Sequence, residues 1–216
     1  FILNIQGKHK TALDLIKRAI ERYRCSAMYY TTLASIYRNL GKYPEAVDAI
    51  KIACELKPTD PAIISNAAMI LADERRYDRA KSVYETALEF DPNNSFVHFN
   101  YSLLLLSMGD FKKGWEEYEW RIPFHYGKPR PTYPKNLSGK KVRVVPEQGY
   151  GDFIMFSRYF KSLEEAGASV YIECPRPLSR LYDSHYCPKP DFTIPVMSLP
   201  LLFDSIPNKP YLKAPG

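Results

Sequence analysis

The segment that decides the fold reads Gly41-Lys-Tyr-Pro-Glu-Ala46. Its opening pattern, a glycine or arginine followed two positions later by an aromatic residue or histidine, recurs at a spacing of 34 residues. In each of the four registers a small residue lies five positions after the first residue. The registers begin at Gly7, Gly41, Arg75 and Gly109, and the small residues are Ala12, Ala46, Ala80 and Gly114.

A second small residue, seven positions further on, and a later proline complete the pattern. Small residues allow two helices to approach closely, the glycine supports the turn between them, and the proline ends the second helix. The pattern therefore predicts helical hairpins that repeat along the chain. The second small residues are Ala19, Ala53 and Ala87, with Arg121 breaking the pattern, and the prolines are Pro58 and Pro92.

This pattern resembles the tetratricopeptide repeat (TPR). The resemblance implies a partial unit over residues 1–26, full units over 27–60 and 61–94, and a closing unit over 95–122. One repeat cannot bury its apolar face alone, so the repeats are expected to stack into an αα superhelix with a concave groove.

The first helix of each repeat supplies the predicted groove residues. Asn66 and Asn100 occupy the same repeat position, and Thr32 is their counterpart. Polar side chains at this spacing could bind the backbone of an extended peptide without reading its sequence, as in the similar asparagine ladder of the O-linked N-acetylglucosamine transferases. The alternative is that asparagine is simply common at this position. A protein or peptide is the expected partner.

The last repeat carries an apolar stripe on its first helix. The stripe is expected either to point toward the groove or to pack against the following domain, since an exposed patch of that size is unusual. Its members are Phe96, Phe99, Leu103 and Leu106.

Composition divides the chain in two. Four of the 18 prolines precede residue 123, and most of the net charge of +6 lies beyond it. We therefore predict a linker over 123–138, where Pro129, Pro131 and Pro134 disfavour a helix. With 45% hydrophobic residues, the chain is not expected to be disordered.

The second half, 139–216, begins with a predicted βαβ unit. Residues 140–146 and 169–174 are β-branched runs typical of strands, and a helical apolar pattern lies between them. Asp152 is expected to cap this helix and Gly167 to end it. The predicted fold class is α plus α/β: a TPR superhelix followed by an incomplete Rossmann-like domain with a parallel sheet.

The loop before this helix reads Glu147-Gln-Gly-Tyr-Gly-Asp152. Ile154 stands where a dinucleotide fingerprint needs its third glycine, and no Gly-Lys-Ser/Thr follows, so a nicotinamide dehydrogenase and a P-loop NTPase are not expected. Backbone N–H groups at such a turn suit an anionic or polyhydroxyl ligand.

The loop and its flanking motifs together resemble the bacterial TPR-linked glycosyltransferases, relatives of the heptosyltransferases and, more distantly, of the O-linked N-acetylglucosamine transferases. The resemblance implies metal-independent, inverting transfer of a sugar from a nucleotide-diphosphate donor to a hydroxyl, with no further cofactor. The motifs are Gly114-Trp-Glu, Leu137-Ser-Gly-Lys140, the loop 147–152, Phe156-Ser-Arg-Tyr159, Gly167-Ala168, Asp191-Phe192 and Ser198-Leu-Pro200.

In this family the resemblance assigns Asp152 as general base, with the alternative that it only caps the helix. Gly149, Tyr150 and Gly151 would bind substrate, and Glu147 and Gln148 are weaker candidates. The family continues into a donor-binding domain that this sequence does not include, and it is longer near 184–188. Either this branch is trimmed, or stretches of a longer polypeptide are missing near 184–188 and after 216. This fragment alone is therefore expected to be inactive.

Other functions find less support in the sequence. The four histidines and four cysteines lack metal-ligand spacing, with His185 and Cys187 as the nearest pair. An acid-free stretch from Arg121 to Arg143 could bind polyanions, but a solvated linker is the simpler interpretation, and nucleic acid is not an expected partner. No membrane span or signal peptide is predicted, and scattered cysteines favour the cytoplasm.

Two functions from different classes remain open. The first is the glycosyltransferase, favoured by the loop 147–152. The alternative is a non-catalytic scaffold whose repeats bind a peptide, favoured by the missing donor-binding domain.

Overall fold

The computed structural model describes residues 7–182, 189–203 and 206–207. The chain divides into two compact units, Phe1–Arg130 and Pro131–Gly216. The division falls inside the predicted linker. No helix in the described residues is long and apolar enough to cross a membrane.

The first unit is built from helices that pair in sequence order. The helices α2 and α3, α4 and α5, and α6 and α7 form three hairpins, and α1 packs against α2. The described helices are α1 (His9–Arg22), α2 (Ala27–Asn39), α3 (Tyr43–Leu56), α4 (Pro61–Asp73), α5 (Tyr77–Phe90), α6 (Ser95–Ser107), α7 (Phe111–Tyr118) and α8 (Arg121–Tyr126).

The repeated small residues lie in the core between packed helices. Ala46, Ala53, Ala80 and Ala87 are all 0% exposed. Ala46 and Ala53 belong to one buried cluster with residues of α2 and α4, and Ala80 and Ala87 belong to another with residues of α4 and α6. Because each side chain is a single methyl group, larger side chains of the neighbouring helices fill the space around it. The predicted position of these residues between helices is confirmed.

Helix ends follow the repeat as well. The helices α3 and α5 end two residues before Pro58 and Pro92. Each first helix then begins behind a polar cap: Asp60 accepts hydrogen bonds from the backbone of Ala62 and Ile63, and Asn94 accepts one from Val97.

The turn inside each hairpin needs a left-handed residue. Gly41 and Gly109 have φ values of 70° and 84°, as the sequence predicted. Arg75 occupies the same register with φ of 59°, the one positive-φ residue other than glycine in the described residues. A side chain at this conformation places Cβ too close to the following carbonyl oxygen.

The predicted linker is wrong at its start. Residues 121–126 form α8. The proline at position 123 is tolerated because it lies in the first helical turn, where backbone N–H groups make no hydrogen bond within the helix. Gly127 ends α8 with φ of 61°. Within this unit Phe124 of α8 contacts Phe96 and Phe99 of α6.

The second unit contains a parallel sheet of order β2-β1-β3. Val142 pairs with Val170 on one side and with Phe192 on the other. Val142, Val144 and Ile194 are fully buried. The predicted parallel sheet is confirmed. Its elements are β1 (Lys141–Val145), α9 (Tyr150–Phe156), a 3-10 turn (Ser157–Tyr159), α10 (Phe160–Glu165), β2 (Ser169–Ile172), β3 (Phe192–Pro195) and 3-10 segments at Arg176–Leu178 and Val196–Leu202.

Asp152 does not cap the helix after the glycine loop. The helix α9 begins at Tyr150 with Gly149 as its N-cap, and Asp152 lies inside the first turn. The predicted cap is therefore wrong, since the helix has its N-cap three residues earlier than expected. Gly167, with φ of 84°, ends the helical segment as predicted.

We predict that Arg75→Gly stabilises the protein by about 1 kcal/mol, because glycine adopts the left-handed conformation without the Cβ clash. Urea unfolding followed by circular dichroism measures the change. Gly41→Ala is the matched substitution in the preceding repeat, and it should lower the free energy of unfolding by a similar amount. A less stable Arg75→Gly protein would contradict this account.

Candidate functional site

The first helices of the three repeats lie side by side, with α4 contacting both α2 and α6. We call the surface that they share the groove face. The three predicted ladder residues make the same bond there. Thr32 Oγ1 donates to the Met28 carbonyl at 2.9 Å, Asn66 Nδ2 to Ala62 at 2.7 Å, and Asn100 Nδ2 to Phe96 at 2.8 Å.

These bonds determine which atoms of the three ladder side chains remain available to a ligand. A backbone carbonyl only accepts hydrogen bonds, so each ladder side chain directs one donor to its own helix, and each asparagine keeps a second N–H. The amide oxygens of Asn66 and Asn100 and the lone pairs of Thr32 remain as acceptors. The repeat position therefore offers a row of acceptors, a property that the sequence pattern did not specify.

A cavity of about 280 Å³ opens among α2, α4, α5 and α6. Its lining combines one ion pair, two phenols, an amide, a serine hydroxyl and aliphatic side chains. The residues that define its chemistry are Arg38, Met69, Asp73, Tyr84, Asn100 and Leu103.

The charges of the cavity belong to neighbouring repeats. Arg38 Nε of α2 lies 3.3 Å from Asp73 Oδ2 of α4, and the two side chains are 21% and 43% exposed. Neither residue is marked by the sequence pattern, because the two occupy different positions of the repeat. Only the stacking of α2 on α4 brings them together.

Tyr84 lies deeper and is 2% exposed. Its ring stacks on Tyr101 with centroids 5.4 Å apart. Burial raises the pKa of Tyr84 well above its ordinary value; the Arg38 charge opposes this, and the Asp73 charge adds to it. Tyr84 is therefore a neutral phenol at physiological pH.

The apolar stripe of α6 does not act as one surface. Leu103 lines the cavity and is 46% exposed. Phe96 and Phe99 contact α8 instead. Leu106 fills the space beside Gly114, where an added Cβ would come within 2.8 Å of Leu106 Cδ2. The prediction of a single stripe is wrong because α7 and α8 each cover part of it.

The second predicted site lies at the carboxyl end of β1, the central strand. Gln148, Gly149, Tyr150 and Gly151 are exposed, and Glu147 is half-buried. Asp152 is also half-buried, and its Oδ2 lies 3.7 Å from the position of a Cβ on Gly149. The loop thus presents its backbone and one carboxylate at one edge of the sheet.

The remaining candidate positions either make contacts inside the first unit or lie outside the described residues. Arg121 is 0% exposed and pairs with Glu119 at 2.6 Å, so it is not part of a solvated basic linker. Arg130 covers the ring of Trp120 at 5.0 Å. No group of three metal-ligating side chains exists in the described residues, and His185 and Cys187 lie outside them.

A family model described as "Psidin, N-terminal TPR repeats region" matches residues 3–115, more than half of the chain. The chain belongs to this family. The match spans the TPR hairpins and ends before the loop 147–152. No curated protein matches the chain significantly.

Three solved TPR structures are similar to this chain, and the first of them shows the same fold. TTC0263, a thermophilic TPR protein of Thermus thermophilus, is 18% identical and covers 58% of this chain and 70% of its own, with a TM-score of 0.52. YrrB, a TPR protein with an unusual peptide-binding site, is 21% identical over 56% and 62% of the chains, with a TM-score of 0.45. The first TPR of Spaghetti (RPAP3) bound to the HSP90 peptide SRMEEVD is 22% identical over 50% and 85%, with a TM-score of 0.44.

We predict that the TPR unit loses stability as the pH rises above about 10. The unfolded chain releases the Tyr84 proton near that pH, whereas the folded chain keeps it because its pKa is raised. The unfolded state then binds fewer protons, and the free energy of unfolding falls by at most about 1.4 kcal/mol per pH unit for this group.

Urea unfolding of the parent and of Tyr84→Phe across this pH range measures the effect. The Tyr84→Phe protein should lose less stability than the parent, while Tyr23→Phe, at a 57% exposed position, should follow the parent. Identical pH profiles for the parent and Tyr84→Phe would contradict the assignment.

Proposed function

We propose that this TPR protein is an interaction scaffold whose groove face binds an extended segment of another protein. The observation that carries the proposal is the row of acceptors at Thr32, Asn66 and Asn100, each fixed by a bond to its own helix. Every peptide backbone offers N–H donors, so such a row suits an extended main chain whatever its sequence.

Apolar surface beside the ladder supports the same function. Met28 is 66% exposed and lies one helical turn from Thr32, while Leu103 lies one turn beyond Asn100. Covering such side chains contributes about 25 cal/mol per Å² of apolar area removed from water. Hydrogen bonds would then fix the direction of the bound segment, and apolar contact would add affinity.

We predict that removing the acceptors weakens peptide binding. A phage-displayed peptide library panned on the full chain supplies the probe, and calorimetry on the selected synthetic peptide measures the affinity. Asn66→Leu and Asn100→Leu keep the side-chain shape but lose the acceptor, so each should reduce affinity about fivefold, the value of one hydrogen bond near 1 kcal/mol.

The chain offers a matched control. Thr86 Oγ1 donates to the Ser82 carbonyl at 3.1 Å, the same bond as Thr32, but on the second helix of its hairpin. Thr32→Val should weaken binding, and Thr86→Val should not. Equal effects of the two substitutions, or no peptide binding at all, would exclude the groove as the binding site.

We propose glycosyl transfer by a larger protein as a second candidate function. Its support is the position of residues 147–152 directly after the carboxyl end of β1, the edge at which open parallel sheets bind ligands. Asp152 would act as general base toward an acceptor hydroxyl, and Gly149, Tyr150 and Gly151 would orient the substrate.

Thermal unfolding of a chain that carries the donor-binding half, with uridine- and adenosine-diphosphate sugars, tests this candidate. A bound donor at about 100 times its dissociation constant would stabilise the protein by about 2.7 kcal/mol. In a chain that carries the donor-binding half, Asp152→Asn should abolish transfer but keep this stabilisation. Turnover at the parent rate would remove Asp152 from the role of base.

A further inference from the structure

We propose that the cavity among α2, α4, α5 and α6 is the specificity pocket of the groove, and that it receives an uncharged carboxamide side chain, glutamine or asparagine, of the bound segment. This inference rests on the proposed scaffold function. It adds a rule for the partner's sequence to a groove that otherwise holds any extended backbone.

One wall of the pocket supplies hydrogen-bond donors. Arg38 pairs with Asp73 through Nε at 3.3 Å, and its guanidinium makes no hydrogen bond to another described residue. A guanidinium carries five N–H donors in a planar fork. The outer N–H groups of Arg38 are therefore available to a carbonyl oxygen in the pocket.

The wall from α6 supplies acceptors. Asn100 is 8% exposed; one N–H of its Nδ2 is bound to the Phe96 carbonyl, and its Oδ1 keeps two lone pairs. Ser107 also lines the pocket, and its hydroxyl donates to the Leu104 carbonyl at 2.7 Å, which uses its single donor. The oxygens of both side chains therefore suit the N–H₂ of an amide, and the second Asn100 N–H suits the carbonyl oxygen of the same group.

Charge and size narrow the occupant further. Arg38 and Asp73 are the charged residues of the lining, and they neutralise each other. A volume of about 280 Å³ lies just below the range of about 300–1,000 Å³ for drug-sized ligands, which suits one side chain. Met69 and Leu103 would cover the aliphatic stem of that side chain.

A carboxamide matches this arrangement better than an ion does. A carboxylate would meet Arg38 but face Asp73 and the oxygens of Asn100 and Ser107. An ammonium would meet Asp73 but face Arg38. An aliphatic side chain would leave the donors and acceptors of both walls desolvated without partners, which weakens binding.

The test uses capped nine-residue peptides of alanine and serine with one central guest: glutamine, glutamate, methionine or lysine. These guests have similar length and differ in charge and hydrogen bonding. Binding to the full chain is followed by NMR of the methionine and leucine methyl groups. We expect the glutamine peptide to bind at least tenfold more tightly than the other three and to shift Met69 and Leu103.

Two variants should switch the preference. Arg38→Leu leaves Asp73 without its cation, so the lysine peptide should become the tightest binder. Asp73→Asn leaves Arg38 without its anion, so the glutamate peptide should become the tightest binder of that variant. The double variant Arg38→Leu/Asp73→Asn restores neutrality and should prefer neither charged guest. Circular dichroism checks that each variant folds, and the guest series on the unmodified chain tests the pocket independently of them.

The outcomes separate the pocket from the groove. Equal affinity for all four guests would overturn the pocket and leave the groove intact, since the backbone alone would then carry binding. Preference of the unmodified chain for methionine, glutamate or lysine would overturn the carboxamide assignment. Failure of all four peptides to bind would count against the pocket and the groove together.

Discussion

Close contact between the paired helices is the constraint on which the rest of the first unit depends. Ala46, Ala53, Ala80 and Ala87 have no exposed surface, and each stands where a longer side chain would force the helices apart. Overpacking such a position typically costs about 1–3 kcal/mol and shifts the backbone. The packing of the first helices against α3 and α5 therefore depends on four side chains of one methyl group each.

The last hairpin shows what happens when this constraint changes. Gly114 replaces alanine, and Leu106 occupies the space of the missing Cβ. Arg121 replaces the second small residue and is fully buried, where Glu119 accepts its hydrogen bond and the Tyr118 ring lies 4.7 Å from its guanidinium. A buried charge requires such partners. The α8 helix begins at this residue, so the break in the repeat coincides with a new element rather than a linker.

The proposed binding groove would combine a general and a specific element. Asn66 and Asn100 each bind one N–H to their own helix, which leaves their amide oxygens as acceptors. The cavity beside them is neutral only because Arg38 of one repeat meets Asp73 of the next. A ladder repeated with the sequence period suits a backbone, which is itself periodic. A pocket formed by non-equivalent residues suits a single side chain.

The sequence by itself determined the hairpins, their turns and the ladder, because these depend on neighbours at fixed separations of a few residues or one repeat. Gly41, Ala46 and Asn66 are examples, and Val142 similarly indicated the parallel sheet. The tertiary structure alone decided the pairing of Arg38 with Asp73, the burial of Arg121 and the start of α9 before Asp152. These depend on how side chains from different elements meet in space, which no spacing along the chain encodes.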